Sequence, residues 1–272
     1  MSIKKTVLLV TDFSYQAKGR EYFREDIELY GYLKNFFKVY VSHIKDIEKV
    51  INHVDLVLIR NTGPQTSHHK ELATLKNRTD LIIFNDLSGK GDINGKGHLL
   101  ELFRSGFSVI PTFDSKIDLE KYGSFENYLL KPLDGADSSG VKIVSYEGLK
   151  KENCINFLIQ PLVEFQYEVS FYFIGKEFYY SLYAPNIQKR WELKPYEASK
   201  VDVEFALKFI NWNTCKFGIQ RVDACRLKDG TLLLMELEDY NPFLSLDLLQ
   251  KNVKETFLES LSISIFESMN KI

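Results

Sequence analysis

The sequence predicts an α/β protein whose C-terminal part is α+β, and three observations carry that prediction. Four short, nearly continuous apolar runs alternate with helix-like stretches in the first third, the pattern of a parallel sheet with helices on its faces. Beyond Pro111-Thr112 the runs lengthen, alternate, and pair through polar turns. Near the end, an Asp-Gly turn at 229–230 joins two apolar-rich runs in which charged residues stand two apart at 221 and 223 and at 236 and 238.

The early strands are expected at 7–11 (VLLVT), 38–42 (KVYVS), 55–59 (DLVLI) and 81–85 (LIIFN). Helical spacing appears at 27–35, 44–52 and 99–104, the last leading into Val109-Ile110. Ligands of such sheets bind beyond the carboxyl ends of the strands, where this chain has Asp12, Ser14, His43, Arg60, Asn61 and Asn85. A charged stretch at 114–127 precedes two strands within 128–144, joined by a polar loop. The segment 157–165 and a hairpin over 167–183, turning at Gly175-Lys176, follow. Val201, Phe205, Phe209 and Trp212 mark one amphipathic helix, and Val253, Phe257, Leu261 and Ile265 another.

Composition narrows the function classes. A net charge of −2 without a dominant basic block gives no nucleic-acid footprint. No apolar run reaches the roughly 20 residues that span a bilayer, and the N-terminal run after Lys4-Lys5 is too brief for a signal peptide. Cys154, Cys215 and Cys225 are scattered, without metal or disulfide spacing. A cytoplasmic address with reduced thiols is the expectation.

Several motifs are absent. The stretch 88–97 (SGKGDINGKG) is rich in glycine, but Gly95-Lys96 is followed by Gly97 instead of Ser or Thr, so it is no P-loop. No G-x-G-x-x-G follows a strand, no nucleophile elbow occurs, and His68-His69 in a polar stretch has no third ligand nearby.

The hairpin is more informative. With a loop centred on Asp229-Gly230, residues whose numbers sum to 459 face each other. Asp223 then opposes Glu236 and Arg221 opposes Glu238, all on one face, because strand side chains alternate. Facing carboxylates repel unless a cation separates them. Three hard oxygen donors suit Mg²⁺, which favours carboxylates and phosphate oxygens. Val222, Ala224, Leu233, Met235 and Leu237 are expected to fill the opposite face. Upstream, Lys131 ends a strand and is placed to meet a phosphate as a point charge. Gly135 and Gly140 bracket small residues, including Ser138 and Ser139, whose backbone N–H groups suit an anion. Gln160 and Glu168 flank an apolar stretch that suits an adenine slot with a carboxylate for ribose hydroxyls.

Together these residues resemble the ATP-grasp superfamily, in particular its glutathione-synthetase-like branch of carboxylate–amine ligases. The resemblance covers about residues 80–248, with the preceding α/β region fitting the branch's N-terminal domain. FNDLSGKGDINGKGHLLELFRSGFSVIPT at 84–112 is similar to the stretch in which a lysine precedes a helix, so Lys96 fits a phosphate-binding lysine. YLLKP at 128–132 matches the strand lysine, so Lys131 would bind the α- and β-phosphates. QPLVEFQYEVS at 160–170 resembles the adenine hinge, implicating Gln160, Pro161, Leu162 and Val163, with Glu168 on the ribose. RVDACRLKDGTLLLMELEDYNP at 221–242 is the most specific match: Asp223, Glu236 and Glu238 reproduce the two-metal spacing, and Arg221 the catalytic arginine. Two departures stand out. The third ligand is more often Asn than Glu, and the lysine expected after the strand ending near Tyr183 is replaced by Lys189 or Arg190.

The resemblance implies an N-terminal pre-ATP-grasp domain over 1–110, a small ATP-grasp subdomain with a phosphate loop over 111–160, and a C-terminal subdomain with the metal hairpin over 161–272. It implies ATP and two Mg²⁺ ions, with Mn²⁺ also compatible. ATP would phosphorylate the carboxylate of a small molecule or peptide, and an amine would then attack the acyl phosphate. Arg60 and Asn241 are the candidate substrate contacts. A homodimer is left open. The rival readings are an ATP-grasp kinase acting on a hydroxyl and a nucleotide-binding protein without turnover.

Overall fold

A computed structural model describes residues 4–17, 20–63, 67–134 and 140–270. Three main sheets follow one another along the chain. The first is parallel, with Lys38–Ser42, Thr6–Val10, Leu56–Ile59 and Ile82–Phe84 side by side in that order. Its apolar runs are continuous because both faces are covered. Val7, Leu9, Leu56 and Leu58 pack into one core, under the helices Phe23–Leu33 and Lys251–Ser268. Leu8, Val10, Val57 and Ile59 pack into another, with Ile44, Ile47, Leu72 and Leu75.

The stretch 44–52 forms two 3₁₀ turns, Ile44–Lys49 and Ile51–His53, where an α-helix was expected. Ile44 and Ile47 are buried, and a spacing of three is met by three residues per turn. Three short helices, His69–Lys76, Lys116–Tyr122 and Tyr146–Lys151, lie in segments read as loops or left unassigned. His68 is not in an open loop: it is buried, 2.7 Å from the Tyr240 hydroxyl.

The second sheet is a small antiparallel one, with Asn127–Pro132 between Lys142–Ser145 and Phe157–Pro161. Tyr128, Leu130 and Ile159 turn into its own core with Phe113 and Leu119, which leaves Leu129 and Lys131 on the other face.

The third sheet has five antiparallel strands, in the order Lys194–Tyr196, Glu177–Ala184, Tyr167–Ile174, Ile219–Arg226, Leu232–Glu238. One face, including Val169, Phe171, Phe173, Val222 and Leu237, packs on the helix Lys200–Trp212 through Phe205, Ala206, Phe209 and Ile210. Ser199 and Asp202 close a capping box at that helix's start. The opposite face looks toward the small sheet. Among the described residues, no helix is long and apolar enough to cross a membrane.

The C-terminal hairpin reaches its predicted pairing by an unpredicted route. Near the turn the partners are Ala224–Leu234, Cys225–Leu233 and Arg226–Leu232, one residue out of the expected register. Leu227 and Thr231 close a loop of three residues, with Gly230 at φ +88°. The register shifts between Asp223 and Ala224, where Met235 is extra. This β-bulge restores Asp223–Glu236 and Arg221–Glu238. It also changes which residues face the core: Leu232, Leu234 and Leu237 are buried, whereas Leu233 and Met235 are only half-buried. The expectation that Leu233 and Met235 fill the core face is therefore corrected.

A buried ion cluster joins the first sheet to the segment after the hairpin. Arg60 is fully buried; its Nη2 lies 2.9 Å from both Glu25 Oε1 and the Pro242 carbonyl, and its Nε 3.5 Å from Asp26. Glu25 also accepts from the Leu244 N–H at 2.9 Å, and Asp26 from Thr11 and Asn61. Two carboxylates share one guanidinium. Burial, only partly offset by Arg60, pushes Glu25 up to about 7 from 4.5. Between these values the folded protein holds a proton that the unfolded chain has released. Stability should therefore be greatest on the acid side, fall as pH rises to 7, and then level off. The contribution is at most about 3 kcal/mol. Urea titrations at pH 5 and pH 8 should show wild type losing more stability than Glu25→Gln. Equal losses would exclude a shifted Glu25.

Candidate active site

A cleft of about 440 Å³ opens between the small sheet and the carboxylate-bearing face of the large sheet. Strand alternation supplies its floor: Glu168, Ser170 and Tyr172 from one strand, Arg221 and Asp223 from the next, Glu236 and Glu238 from the last. Leu129, Lys131 and Gln160 face them from the small sheet, and Lys96 enters from the start of the helix Gly97–Arg104.

The carboxylates are held by side-chain cations. Arg221 Nε lies 2.9 Å from Asp223 Oδ1 and Nη2 2.9 Å from Asp223 Oδ2, while Nη2 also donates to Glu238. Arg221 Nη1 donates to the Phe243 carbonyl at 3.0 Å. Ser170 Oγ donates to Asp223 at 2.6 Å. Lys96 Nζ pairs with Glu236. Burial raises the Glu236 carboxyl, but Lys96 and Lys131 outweigh it and bring it down to about 2. Burial raises Glu238 more than Arg221 lowers it, with Asp223 and Glu236 adding repulsion, so it is pushed up to about 8. Burial lowers Lys131 to about 8. Among the described residues, no carboxylate is in ion-pair contact with Lys131, and Glu236 acts on it from farther away.

Among the described residues, no three His, Cys, Asp or Glu side chains are gathered around a common metal point. In kind the donors still fit a hard divalent cation: three carboxylates on one face, each exchangeable from a lysine or arginine partner.

The other predicted residues divide clearly. Pro161, Leu162 and Val163 line the cleft beside Gln160. Gln160 is fully buried; its Nε2 donates to Thr112 at 2.8 Å and its Oε1 has no partner. Arg190 lines the cleft with Nε 2.5 Å from Glu168 Oε1, whereas Lys189 lies outside and pairs with Glu192 at 2.8 Å. Glu168 is raised by burial, against Arg190. The structure does not bring Arg60 to the cleft, because its guanidinium is enclosed in the ion cluster with Glu25 and Asp26. Asn241 is also absent from the lining; it binds Thr62 Oγ1 at 3.1 Å and the Arg60 carbonyl at 3.3 Å. Gly135, Ser138 and Ser139 lie outside the described residues.

Sequence reasoning missed Arg20, Tyr22, Ser170, Tyr172, Trp191, Phe243 and Ser245, all in the lining. Ser170 and Tyr172 were within reach, since they alternate with Glu168 on one strand. The rest come from three separate segments, around Arg20 and Tyr22, Trp191, and Phe243 and Ser245, and carry no spacing signal. The glycine-rich stretch 88–97 does cradle an anion, but an internal one. The N–H groups of Gly91 and Ile93 donate to Asp239 at 2.8 and 3.1 Å, and Asn213 Nδ2 adds a bond at 2.8 Å.

No protein-family model matches the sequence, and no curated protein matches it. Solved structures do. The chain is similar to D-cycloserine synthetase DcsG, with a TM-score of 0.71 and 16% identity, over 94% of this chain and 99% of that one. It is similar to D-alanine–D-alanine ligase from Bacillus anthracis complexed with ATP, with a TM-score of 0.70 and 14% identity, over 99% and 98% of the two chains. It is also similar to the ATP-grasp ligase PsnB complexed with Mg, ADP and a phosphomimetic variant of its minimal precursor. There the TM-score is 0.68 and the identity 11%, over 97% and 99%. The chain has the ATP-grasp fold.

A side chain at Gly91 would collide with this arrangement, its Cβ 2.6 Å from the Leu237 carbonyl oxygen and 2.8 Å from the Asp239 carboxyl carbon. Gly91→Ala should cost about 1–3 kcal/mol in urea unfolding. An unchanged midpoint would show that the stretch is not packed on Asp239.

Proposed function

Given an ATP-grasp fold, we propose that this chain is an ATP-dependent carboxylate–amine ligase of the glutathione-synthetase-like branch, acting in the cytoplasm on a small molecule or peptide. The observation that carries the reading is the single cleft in which Arg221, Asp223, Glu236 and Glu238 face Lys96 and Lys131. That assembly matches the demands of phosphoryl transfer, which are positioning and charge stabilisation. The unpartnered Gln160 Oε1 is an acceptor suited to the adenine amino group, between the apolar Leu129 and Leu162. Glu168 is placed for ribose hydroxyls, and Lys96 and Lys131 for the phosphates. Divalent cations, held by Asp223, Glu236 and Glu238, supply neutralisation of the polyphosphate when bound.

In the reaction, a substrate carboxylate oxygen attacks the γ-phosphorus and ADP departs, leaving an acyl phosphate. An amine then attacks the carbonyl carbon, loses a proton and expels phosphate. Arg221 presents planar donors to the transferred phosphoryl group and then to the oxyanion. It is held for this by the Phe243 carbonyl on one side and Asp223 on the other. Lys131, with its charge uncompensated at contact distance, has the most to gain from a phosphate.

Hydroxylamine trapping tests the reading. With Mg²⁺, ATP and pooled carboxylates, wild type should release ADP and form a hydroxamate. ADP with a stable phosphate ester would mean a kinase, and ATP binding without ADP release a binding protein. Arg221→Met should lower kcat about 10²–10³-fold while ATP still binds. Near-wild-type turnover by Arg221→Met would exclude its role at the reacting phosphoryl group.

A further inference from the structure

The cleft has two chemically different halves. The half around Lys96, Lys131 and the carboxylates is charged. The other is walled by Tyr22, Tyr172, Trp191, Leu193 and Phe243, and Arg20 enters it from the short strand Arg20–Glu21, whereas Arg190, beside Trp191, is paired with Glu168. Unlike Arg221, Arg20 has only neutral side-chain contacts among the described residues: Ser245 Oγ at 3.4 Å, the Trp191 carbonyl, and the Phe243 ring with its centroid at 5.4 Å. Of the acids that line the neighbouring pocket behind it, Glu21 pairs with Arg24, Glu25 with Arg60 and Glu28 with Lys254, and among the described residues none of them, Asp247 included, is in ion-pair contact with Arg20. A guanidinium carries five N–H donors in a fork matched to carboxylate, so Arg20 retains capacity for an anion.

Tyr172 is the second, independent observation. It lines this half, is fully buried, and its hydroxyl has no hydrogen-bond partner. It stands opposite Arg221 in the sheet and stacks on Tyr180 at 4.3 Å, which fixes its ring. Leaving a buried hydroxyl unpaired costs about 1–3 kcal/mol, a cost removed when a ligand oxygen accepts from it.

We propose that Arg20 and Tyr172, with the Tyr22, Trp191 and Phe243 walls, form the subsite for the free, non-reacting carboxylate of an apolar amino-acid-type amine substrate. The inference rests on the ligase reading and names the substrate class for the same cleft. On the ligase reading the acyl carbon lies beside Arg221, and Tyr172 and Phe243 adjoin Arg221 at the strand end away from Glu168. One unpaired guanidinium and one hydroxyl among aromatic rings match a monoanionic carboxylate on an apolar body better than a multiply charged phosphate.

The test compares phenylalanine and leucine, in both enantiomers, with their C-terminal amides. Binding is followed by calorimetry in the presence of Mg²⁺ and a non-hydrolysable ATP analogue, and turnover by ADP release. The free acids should bind at least tenfold more tightly than the amides. Arg20→Met should abolish that preference, raising KM for the acid while leaving KM for ATP unchanged. Arg20→Lys should restore part of it, and Tyr172→Phe should weaken acid binding while the thermal midpoint of the ligand-free protein stays the same or rises. Equal binding of acids and amides by wild type, or an acid preference that survives Arg20→Met, overturns the subsite. Hydroxamate formation alongside either result leaves the ligase reading standing. Arg20-dependent binding of the acids without hydroxamate or amide formation supports the subsite and counts against the ligase reading.

Discussion

The cleft is organised by one electrostatic constraint: three carboxylates from adjacent strands share a partly desolvated face and must be neutralised there. Arg221 is shared between Asp223 and Glu238, Lys96 takes Glu236, and Lys131 has no carboxylate in ion-pair contact among the described residues. Three negative groups meet three positive ones, so the face is formally neutral while its members come from four separate parts of the chain. Burial drives the carboxyls toward their protonated forms; at Glu238 it prevails even against Arg221, whereas Lys96 and Lys131 keep Glu236 ionised. A formally neutral face also selects its guests. On the proposed reading, a bare polyphosphate would overcharge it, whereas one accompanied by cations would let each carboxylate exchange a side-chain partner for a metal and each freed cation take a phosphate oxygen.

The same logic extends beneath the cleft. Phe243, which fixes Arg221 through its carbonyl, is flanked by Pro242 and Leu244, and these are bound to Arg60 and Glu25. The Leu244 carbonyl in turn accepts from the Tyr180 hydroxyl at 2.8 Å. A short backbone strap therefore couples Arg221 to the buried ion cluster of the first sheet. Arg60 is a structural tie on which that strap rests. Its position at the end of a parallel strand made it look like a ligand anchor, but the helix Phe23–Leu33 brings two acids over that strand end and closes it.

What the sequence made legible was whatever local period and charge determine. The parallel strands could be read because both faces are covered, and the carboxylate pairing because a one-residue slip would have sent Glu236 and Glu238 into the core. Lys131 was visible from its place at the end of an apolar strand, before a Pro-Leu-Asp-Gly turn. The 3₁₀ turns at 44–53 and the short helices at 69–76, 116–122 and 146–151 were not, since each is too short for a periodic signal to outweigh its polar residues. Arg20, Trp191 and Phe243 meet only through tertiary folding. The part of the site that would choose a substrate was accordingly the least readable.

The hairpin contains two compensating irregularities, a three-residue loop at its tip and the extra Met235 in its second strand. They behave like dislocations of opposite sign in a crystal. Between them the ladder is slipped by one row; beyond them, where the charged face lies, it is whole again. The tip is thus insulated from the chemistry only as long as the two defects remain matched. An insertion or deletion of one residue in the turn needs a countermove at position 235, or every charge on that strand changes sides. The permitted variation of an exposed turn is set by a bend in the strand that lies within the cleft wall.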